Sequence, residues 1–481
     1  MIYFLGMEYL GLNSLFTSIL QILNLAELGV GSAMVYSMYK PIAQSDKTKI
    51  CALMLLYRKY YRIIGIVVLI LGLILYPFIP QLVSKDVPRG IDIHVLYLLN
   101  LATTVLSYWL FAYKNCLLNA HQRNDVDSKI RIVIDTLKYV GQIGAIVIFK
   151  SYYVYLCVAL ILQIINNIFT SLIVSKMYPE YKPVGKLGKD EILVINGKVR
   201  DLFTSKLGAV IINSADSVVI SAFLGLKILA VYNNYYFIVK SIIGIVGSIF
   251  VACTAGIGNS IIVESKDKNF RDFKKFTFII VWLSGFCTCC LLALYQPFIA
   301  LWVGEENSLE YSAVICFCAY FFIYELNSLF NLYKDAAGLW HKDRFRPMVT
   351  ALANLGLNLL LVNYIGIYGV LLSTVVSMLI IGIPWLLHNL FTELFVQNVV
   401  FYLTKLLFYI FVVLVSCIIT CGVCSVVKGN PLIILIIRAI ICCIIPNVFY
   451  FIVFNRLEEF KQTVELLNRL VGRRIGKRKN D

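Results

Sequence analysis

Hydrophobic residues occur along this chain in runs of roughly 20 residues or more, and short polar segments separate the runs. A run of that length crosses the hydrocarbon layer of a membrane when it forms an α-helix. Strands of a membrane barrel would instead give shorter segments of alternating polarity. The pattern therefore predicts an all-α membrane protein with about 13 spans, near residues 12–38, 63–83, 93–113, 132–149, 153–177, 202–225, 227–263, 276–303, 311–334, 348–364, 369–391, 400–427 and 431–454.

Several of these runs contain polar or charged residues, which are costly in hydrocarbon and usually face protein or a wet cavity. The first run places five such positions on one helical face: Thr17, Gln21, Asn24, Glu27 and Gly31. The run at 202–225 contains five more: Lys206, Asn213, Ser214, Asp216 and Ser217. We therefore predict a polar interior within the helical bundle.

A short motif occurs twice, at Phe4-Leu5-Gly6 and at Phe223-Leu224-Gly225, each time followed by x-x-x-Leu and a small residue. Such a duplication is typical of transporters built from two related bundles, with the binding site where they meet. By this repeat Phe4–Gly6 matches the end of the helix at 202–225, so we expect an earlier helix to precede Met1.

The polar segment 178–200 is rich in Pro, Gly and Lys, which is typical of a boundary between domains. We predict a first lobe at 1–177 and a second, pseudo-symmetric lobe at 201–392, each based on six helices. An appended helix pair follows at 393–455. The tail at 456–481 has apolar residues at helical spacing among basic ones, which predicts a helix on the membrane surface.

Charge and composition support a membrane protein rather than a nucleic-acid-binding one. Of the 481 residues, 60% are hydrophobic and 15% are charged, with a net charge of +16. When loops are assigned alternately to the two sides, most of the 43 Lys and Arg residues fall on one side. Positive loops stay cytoplasmic during insertion, so that side, with the C-terminus, is predicted to be cytoplasmic. The charge sets topology, and no nucleic-acid partner is predicted.

Two further features limit the chemistry. Most of the 14 cysteines lie in apolar runs, where thiols behave as small hydrophobic groups, so we predict no metal site. The loops on the less basic side are about ten residues or shorter, as expected between closely spaced spans. A membrane glycosyltransferase or polymerase would need longer catalytic loops there, so we predict that the protein is not an enzyme.

Four passages resemble the Wzx-type polysaccharide flippases of the multidrug/oligosaccharidyl-lipid/polysaccharide exporter superfamily, and the resemblance covers nearly the whole chain. The first and third of these passages are the most specific. They read FLGMEYLGLNSLFTSILQILNLAELGVGSAMVYSMYKPIA (4–43), KNCLLNAHQR (114–123), INSADSVVISAFLGLKILAVYNNYYFIV (212–239) and GLWHKDRFRPMVTALANLGLNLLLV (338–362).

The resemblance implies fourteen helices, as two six-helix lobes plus two, with a central cavity and alternating access in a bacterial plasma membrane. The implied substrate is an undecaprenyl-diphosphate-linked oligosaccharide repeat unit for O-antigen, capsule or exopolysaccharide. Implied partners are membrane lipids, the polysaccharide polymerase and glycosyltransferases. The chain departs from the family by its missing first helix. No set of ligand residues transfers from the family by motif.

The residues themselves suggest three groups within the spans. The cations, proposed to contact diphosphate or sugar, are Lys138, Lys206 and Lys240. The amides, proposed to bind sugar hydroxyls, are Gln21, Asn24, Asn213, Asn331 and Asn354. The carboxylates, which either couple transport to protons or sodium or pair with the cations, are Glu27, Asp135, Asp216 and Glu325. No other cofactor is predicted.

Structural alternatives stay open for each group. Lys240 could extend towards the membrane surface or pair with Asp216, and Lys206 could lie at the interface. Lys138 follows Asp135 by one helical turn, which favours an ion pair between them. The amides could bond between helices instead of binding substrate. A drug or cation exporter of the same superfamily is the nearest alternative function, because the charges within spans are mixed.

Overall fold

The computed structural model describes residues 2–27, 29–83, 88, 90–427 and 429–477. Within these ranges the description leaves out the side chains of 26, 124, 201, 202, 204–206, 209, 212, 213, 251, 252, 255, 431, 467 and 469–477. The chain folds into two units. The first contains Met1–Ala230 and Asn358–Ile367, and the second contains Val231–Leu357 and Tyr368–Asp481.

The first unit is helical throughout its described part. Its helices are α1 (Ile2–Leu5), α2 (Met7–Leu23), α3 (Val30–Ala43), α4 (Lys47–Leu75), α5 (Ile79–Leu82), α6 (Ile93–Trp109), α7 (Asn115–Ala120), α8 (Asn124–Val147), α9 (Tyr152–Met177) and α10 (Lys189–Leu224). Short 3-10 turns connect some of them, at Asn24–Glu27, Tyr76–Phe78 and Ala112–Lys114.

The second unit is built from the remaining helices, of which α11, α15 and α16 also contribute residues to the first. These are α11 (Leu226–Val263), α12 (Lys266–Val303), α13 (Tyr311–Ala336), α14 (Trp340–Asp343), α15 (Arg346–Ile365), α16 (Ile367–Ser377), α17 (Ile383–Asn389), α18 (Val399–Val426), α19 (Pro431–Phe454) and α20 (Glu458–Lys477). Wider π-helical turns at Met378–Gly382 and Leu390–Phe395 flank α17, and a 3-10 turn lies at Glu305–Asn307.

The predicted fold class, an all-α polytopic membrane protein, is confirmed. Among the described residues, nine helices are long and apolar enough to cross a membrane, or ten if the bent pair α6 and α7 forms one span. Helices α2 and α3 are individually short. Helix α8 contains Arg131, Asp135 and Lys138 among its apolar residues. The apolar segment Ser214–Leu224 forms the end of α10.

The first predicted helix, 12–38, is interrupted in the structure. Helix α2 ends at Leu23, a 3-10 turn covers Asn24–Glu27, and α3 begins at Val30. Gly29 has φ of 86°, a left-handed conformation that glycine adopts without steric cost and that ends the regular helical path. The polar face expected along one continuous helix is therefore redirected at Asn24, and this break positions Glu27.

A second break follows α6. Phe111 has φ of 58°, and the axes on its two sides differ by 46°. A bulky residue with a left-handed backbone conformation is uncommon, and here this conformation turns the chain towards α7. The turn brings Asn115 towards the same region as Glu27, because both line the cavity described below.

The segment 178–200 packs against α4 within the first unit. Lys47 pairs with Glu180 and Lys49 with Glu191. Further along, the Tyr60 hydroxyl donates a 2.6 Å hydrogen bond to the side-chain oxygen of Asn196. Helix α10 then packs against α2 and α3 and belongs to the first unit. The division into lobes at 1–177 and 201–392, with an appended pair at 393–455, stays a prediction.

The second unit has a large aromatic and aliphatic core between α12, α13, α17, α18 and α19. Phe273 lies in it against Phe395, at 4.8 Å between ring centroids, and against Tyr402, at 5.1 Å. Helix α20 is anchored to this core, because Phe460 stacks on Trp282 and Glu459 pairs with Lys405. Helices α18 and α19 also pack directly on α12.

Candidate substrate-binding cavity

A polar cavity of about 980 Å³ lies within the first unit. Its walls come from the 3-10 turn after α2 and from α3, α4, α6, α7, α8, α9 and the turn at Phe111. The lining side chains are mostly hydroxyls, amides and charged groups, and include Asn24, Glu27, Tyr57, Tyr61, Ser107, Tyr108, Asn115, Asn119, Asp127, Arg131, Asp135, Lys138, Gln163, Asn166, Asn167 and Thr170. Its size is at the upper end of ordinary ligand pockets.

Glu27 is held in this cavity by two tyrosines. The Tyr61 hydroxyl donates to Glu27 Oε1 at 2.5 Å, and the Tyr108 hydroxyl donates to Oε2 at 2.8 Å. Tyr57 lies one turn before Tyr61 on α4 and donates to the Tyr61 hydroxyl at 2.8 Å. Hydrogen bonds to an ionised acceptor are stronger than neutral ones. The three hydroxyls thus fix the carboxylate at the helix break.

Both cations that line the cavity are paired along α8. Arg131 Nε lies 3.0 Å from Asp127 Oδ2, and Lys138 Nζ lies 2.5 Å from Asp135 Oδ1. Glu27, by contrast, forms no ion pair with any residue that the structure describes. The described lining of the cavity therefore has three carboxylates and two cations, and the surplus negative charge is located at Glu27.

Three amides present unsatisfied oxygens in the same cavity. The side-chain oxygens of Asn24, Asn115 and Asn166 are buried and accept no hydrogen bond within the described chain. Two neighbouring amides are already bonded, because Gln163 Nε2 donates to Asn167 Oδ1 at 3.2 Å, and Asn167 Nδ2 donates to Ser107 O at 2.9 Å. A buried acceptor without a donor costs free energy, so these three amides are polar groups that the described chain itself does not satisfy.

The other predicted residues of the first unit lie elsewhere. Gln21 is exposed and accepts a 3.2 Å hydrogen bond from Ser214, so it does not line the cavity. Asp216 is buried and accepts a 2.7 Å hydrogen bond from Asn358. The side chains of Lys206 and Asn213 lie outside the described residues.

In the second unit, the predicted residues occupy three different environments. Lys240 is exposed on α11 and has no ion pair within the described chain. Glu325 is only 1% exposed, and its Oε1 has no described donor. Asn331 and Asn354 are used between helices: Asn331 accepts from Arg346 at 2.8 Å, and Asn354 donates to Thr374 at 2.9 Å.

A second, apolar cavity of about 670 Å³ lies within the second unit. Its lining comes from α12, α13, α17, α18 and the π-helical turn before α17, and is dominated by Leu, Ile, Phe and Val. Such a surface suits hydrocarbon rather than a polar group.

The structure thus brings Asn24, Glu27, Asp135 and Lys138 together in one cavity. The six other predicted residues whose side chains are described lie outside it, and Lys206 and Asn213 fall outside the described side chains. Sequence reasoning missed the tyrosines of α4 and α6 and the amide Asn115. The four-residue spacing of Tyr57 and Tyr61 was the available signal, since residues at that spacing share a helix face.

No protein-family model matches the chain, and no curated protein is similar to it in sequence. Solved structures share its fold. An inward-facing multidrug resistance MATE family transporter of the MOP superfamily matches at a TM-score of 0.61 with 15% identity, covering 81% of this chain and 91% of that chain. Lipid II flippase MurJ in an inward closed conformation matches at a TM-score of 0.61 with 15% identity, covering 94% and 97%.

A MATE protein in complex with MaL6 matches less well, at a TM-score of 0.50 and 14% identity, covering 79% of this chain and 87% of that chain. At these identities the similarity concerns the fold. The chain is a multi-pass membrane protein with the fold shared by MATE transporters and MurJ.

Proposed function

We propose that this protein transports undecaprenyl-diphosphate-linked oligosaccharide repeat units across a bacterial plasma membrane by alternating access, for surface polysaccharide biosynthesis. The observation that carries the proposal is the polar cavity of about 980 Å³, with its buried unpartnered amide oxygens, inside a chain that is otherwise strongly apolar. Polar groups within membrane helices are costly and are retained where they serve function.

The substrate has two parts with opposite needs. The sugars and diphosphate cannot cross hydrocarbon without a large desolvation cost, whereas the lipid tail is itself hydrocarbon and pays no such cost. The polar cavity of the first unit offers hydroxyls and amides to the sugars. The apolar cavity of the second unit offers a surface on which a hydrocarbon chain can lie.

The similarity to MurJ also supports a lipid-linked substrate. That match extends over 94% of this chain, compared with 81% for the MATE transporter at the same TM-score. We propose that Lys240, which is exposed and unpaired in the described chain, contacts the diphosphate, with Lys206 and Lys138 as further contacts. Glu27, Asp135, Asp216 and Glu325 are proposed for proton or sodium coupling or for pairing with cations.

The remaining parts of the proposal concern the cellular setting. The C-terminus is proposed to be cytoplasmic, because the basic loops lie on that side. The polymerase and the glycosyltransferases of the same polysaccharide are proposed partners. They would consume and supply the transported repeat unit, respectively.

Complementation tests this function directly. The chain is produced in a set of strains that lack their own repeat-unit flippase but keep the enzymes that assemble and polymerise the unit. We expect surface polysaccharide to return in at least one strain, and the double variant Asn24→Leu, Asn166→Leu to reduce it at equal membrane levels. Asn363→Leu is the matched control, since Asn363 is exposed on α15. Absence of polysaccharide in every strain, with the protein in the membrane, would contradict the proposal.

One observation favours a second candidate, a cation exporter. A carboxylate that is surrounded by aromatic rings and has no cation partner in the described chain is a suitable site for an organic cation. Glu27 with Tyr57, Tyr61 and Tyr108 has this arrangement. Efflux of a fluorescent organic cation from cells producing the wild-type chain, abolished by Glu27→Gln, would favour this candidate over the flippase.

A further inference from the structure

Some charged groups of the polar cavity form ion pairs within the described chain, and Glu27 does not. Its two cations, Arg131 and Lys138, are each engaged by a carboxylate of the same helix. Glu27 has hydroxyl donors but no cation in the described chain. A ligand that enters the cavity therefore meets a net negative charge, unless it first breaks one of the two ion pairs.

The tyrosine hydroxyls around Glu27 already donate their hydrogen bonds within the protein. The Tyr57 hydroxyl donates its hydrogen bond to Tyr61, and the hydroxyls of Tyr61 and Tyr108 donate theirs to Glu27. These hydroxyls retain only lone pairs. Glu27 and its three tyrosines therefore offer a ligand acceptors only, whereas the lining amides Asn24, Asn115 and Asn166 carry N–H donors as well as oxygens.

The acceptors and the surplus negative charge at Glu27 select for ligands that bring hydrogen-bond donors to this part of the cavity. Sugar hydroxyls, acetamido N–H groups and ammonium groups are such donors. A carboxylate on a sugar brings only acceptors and a like charge, which is repelled at short range in a cavity of low effective dielectric constant.

We infer that the polar cavity selects repeat units whose sugars are uncharged or bear amines, and that it discriminates against acidic sugars such as uronic acids. This inference rests on the proposed function and specifies the substrate class of the same cavity. The selecting group is Glu27, and the pairing of Lys138 with Asp135 removes the nearest cation that an acidic sugar could use.

Binding of three water-soluble sugar trimers to the full chain in lipid nanodiscs tests this inference. The trimers are those of N-acetylglucosamine (neutral), glucosamine (cationic) and galacturonic acid (anionic). We expect the neutral and cationic trimers to bind about tenfold or more tightly than the anionic one, a difference that requires about 1.4 kcal/mol of discrimination. Equal binding of all three, or binding of none, overturns the inference.

Two variants locate the selectivity. Glu27→Gln removes the surplus negative charge and should reduce the difference in binding affinity between the cationic and the anionic trimer. Asp135→Asn releases Lys138 and should raise affinity for the anionic trimer. Glu305→Gln, at an exposed position outside the cavity, should leave the ranking unchanged. If the difference in affinity between the cationic and the anionic trimer is unchanged in both cavity variants, the inference is overturned. Failure of complementation contradicts the flippase function separately, because the trimer assay involves no lipid-linked substrate.

Discussion

The hydroxyl of Tyr61 lies 2.5 Å from Glu27 Oε1, and this hydrogen bond ties the long helix α4 to the 3-10 turn at which the path of α2 ends. Tyr108 ties α6 to the other oxygen of the same carboxylate at 2.8 Å. One side chain thus joins three segments of the first unit. The carboxylate that the helix break positions is therefore held in the cavity wall by two hydroxyl donors.

Tyr61→Phe and Tyr108→Phe should each destabilise the first unit by about 2 kcal/mol, because each removes a hydrogen bond to an ionised acceptor. The measurement is thermal unfolding of the purified protein in detergent. Tyr139→Phe is the matched control, since Tyr139 is 59% exposed on α8. Melting temperatures of the two cavity variants that equal the control would show that Glu27 is not held as described.

Arg346→Gln should be destabilising by about 1.5–3 kcal/mol, because it removes two hydrogen bonds to the buried Asp343 carboxylate and leaves Lys334, 3.6 Å away, as its remaining cation. Arg346 donates to both oxygens of Asp343, at 2.6 and 2.8 Å, and the two side chains are only 7% and 2% exposed. The neighbouring variant Arg344→Gln removes an exposed charge and should change little. The amount of folded protein recovered after detergent extraction distinguishes them, and equal recovery would contradict this interpretation.

Gly11→Ala should disrupt the packing of α2 on the start of α11. A Cβ atom there would lie 2.1 Å from the backbone oxygen of Leu226, a clash that no rotamer change relieves. Gly144→Ala is the opposite case, because a Cβ on that helical glycine meets nothing within 4 Å. That control should keep or raise stability by about 0.5–1 kcal/mol. Comparable thermal stability of the two variants would argue against the close approach at Gly11.

Lys240→Ala should block delivery of repeat units without loss of protein from the membrane, since this cation, which has no ion pair in the described chain, is proposed to meet the diphosphate. Lys227→Ala is the control, as Lys227 is also exposed on α11. The readout is surface polysaccharide in the complemented strain, with membrane levels measured in parallel. Wild-type polysaccharide in the Lys240 variant would remove this residue from the substrate site.

Much of the fold could be predicted from hydrophobic patterning. The bounds expected for α11 and α19, at 227–263 and 431–454, agree with the structure within one residue, because apolar residues predominate up to both ends of these helices. The start of α4 could not be found in this way. Its first turns at Lys47 are polar and resemble a surface segment, yet they continue the same helix and supply Tyr57 and Tyr61.

The site could be predicted only in part, and the helix break explains why. Gln21, Asn24 and Glu27 share one face of an ideal helix, so a single wall containing all three was expected. The 3-10 turn begins at Asn24, and Gly29 then adopts a left-handed conformation. Asn24 and Glu27 consequently line the cavity, whereas Gln21 bonds to Ser214 outside it. The spacing of polar residues along the sequence does not reveal a local change in backbone conformation of this kind.

Movement of a lipid-linked oligosaccharide in proteoliposomes tests the central claim most directly. A repeat unit on undecaprenyl diphosphate is placed in vesicles containing the purified chain, and its exposure to a membrane-impermeant lectin is followed with time. The predicted result is that the inner-leaflet pool becomes accessible with wild type and much more slowly with the Asn24→Leu, Asn166→Leu variant. Accessibility no faster than in protein-free vesicles, with correctly folded wild-type protein present, would contradict the account.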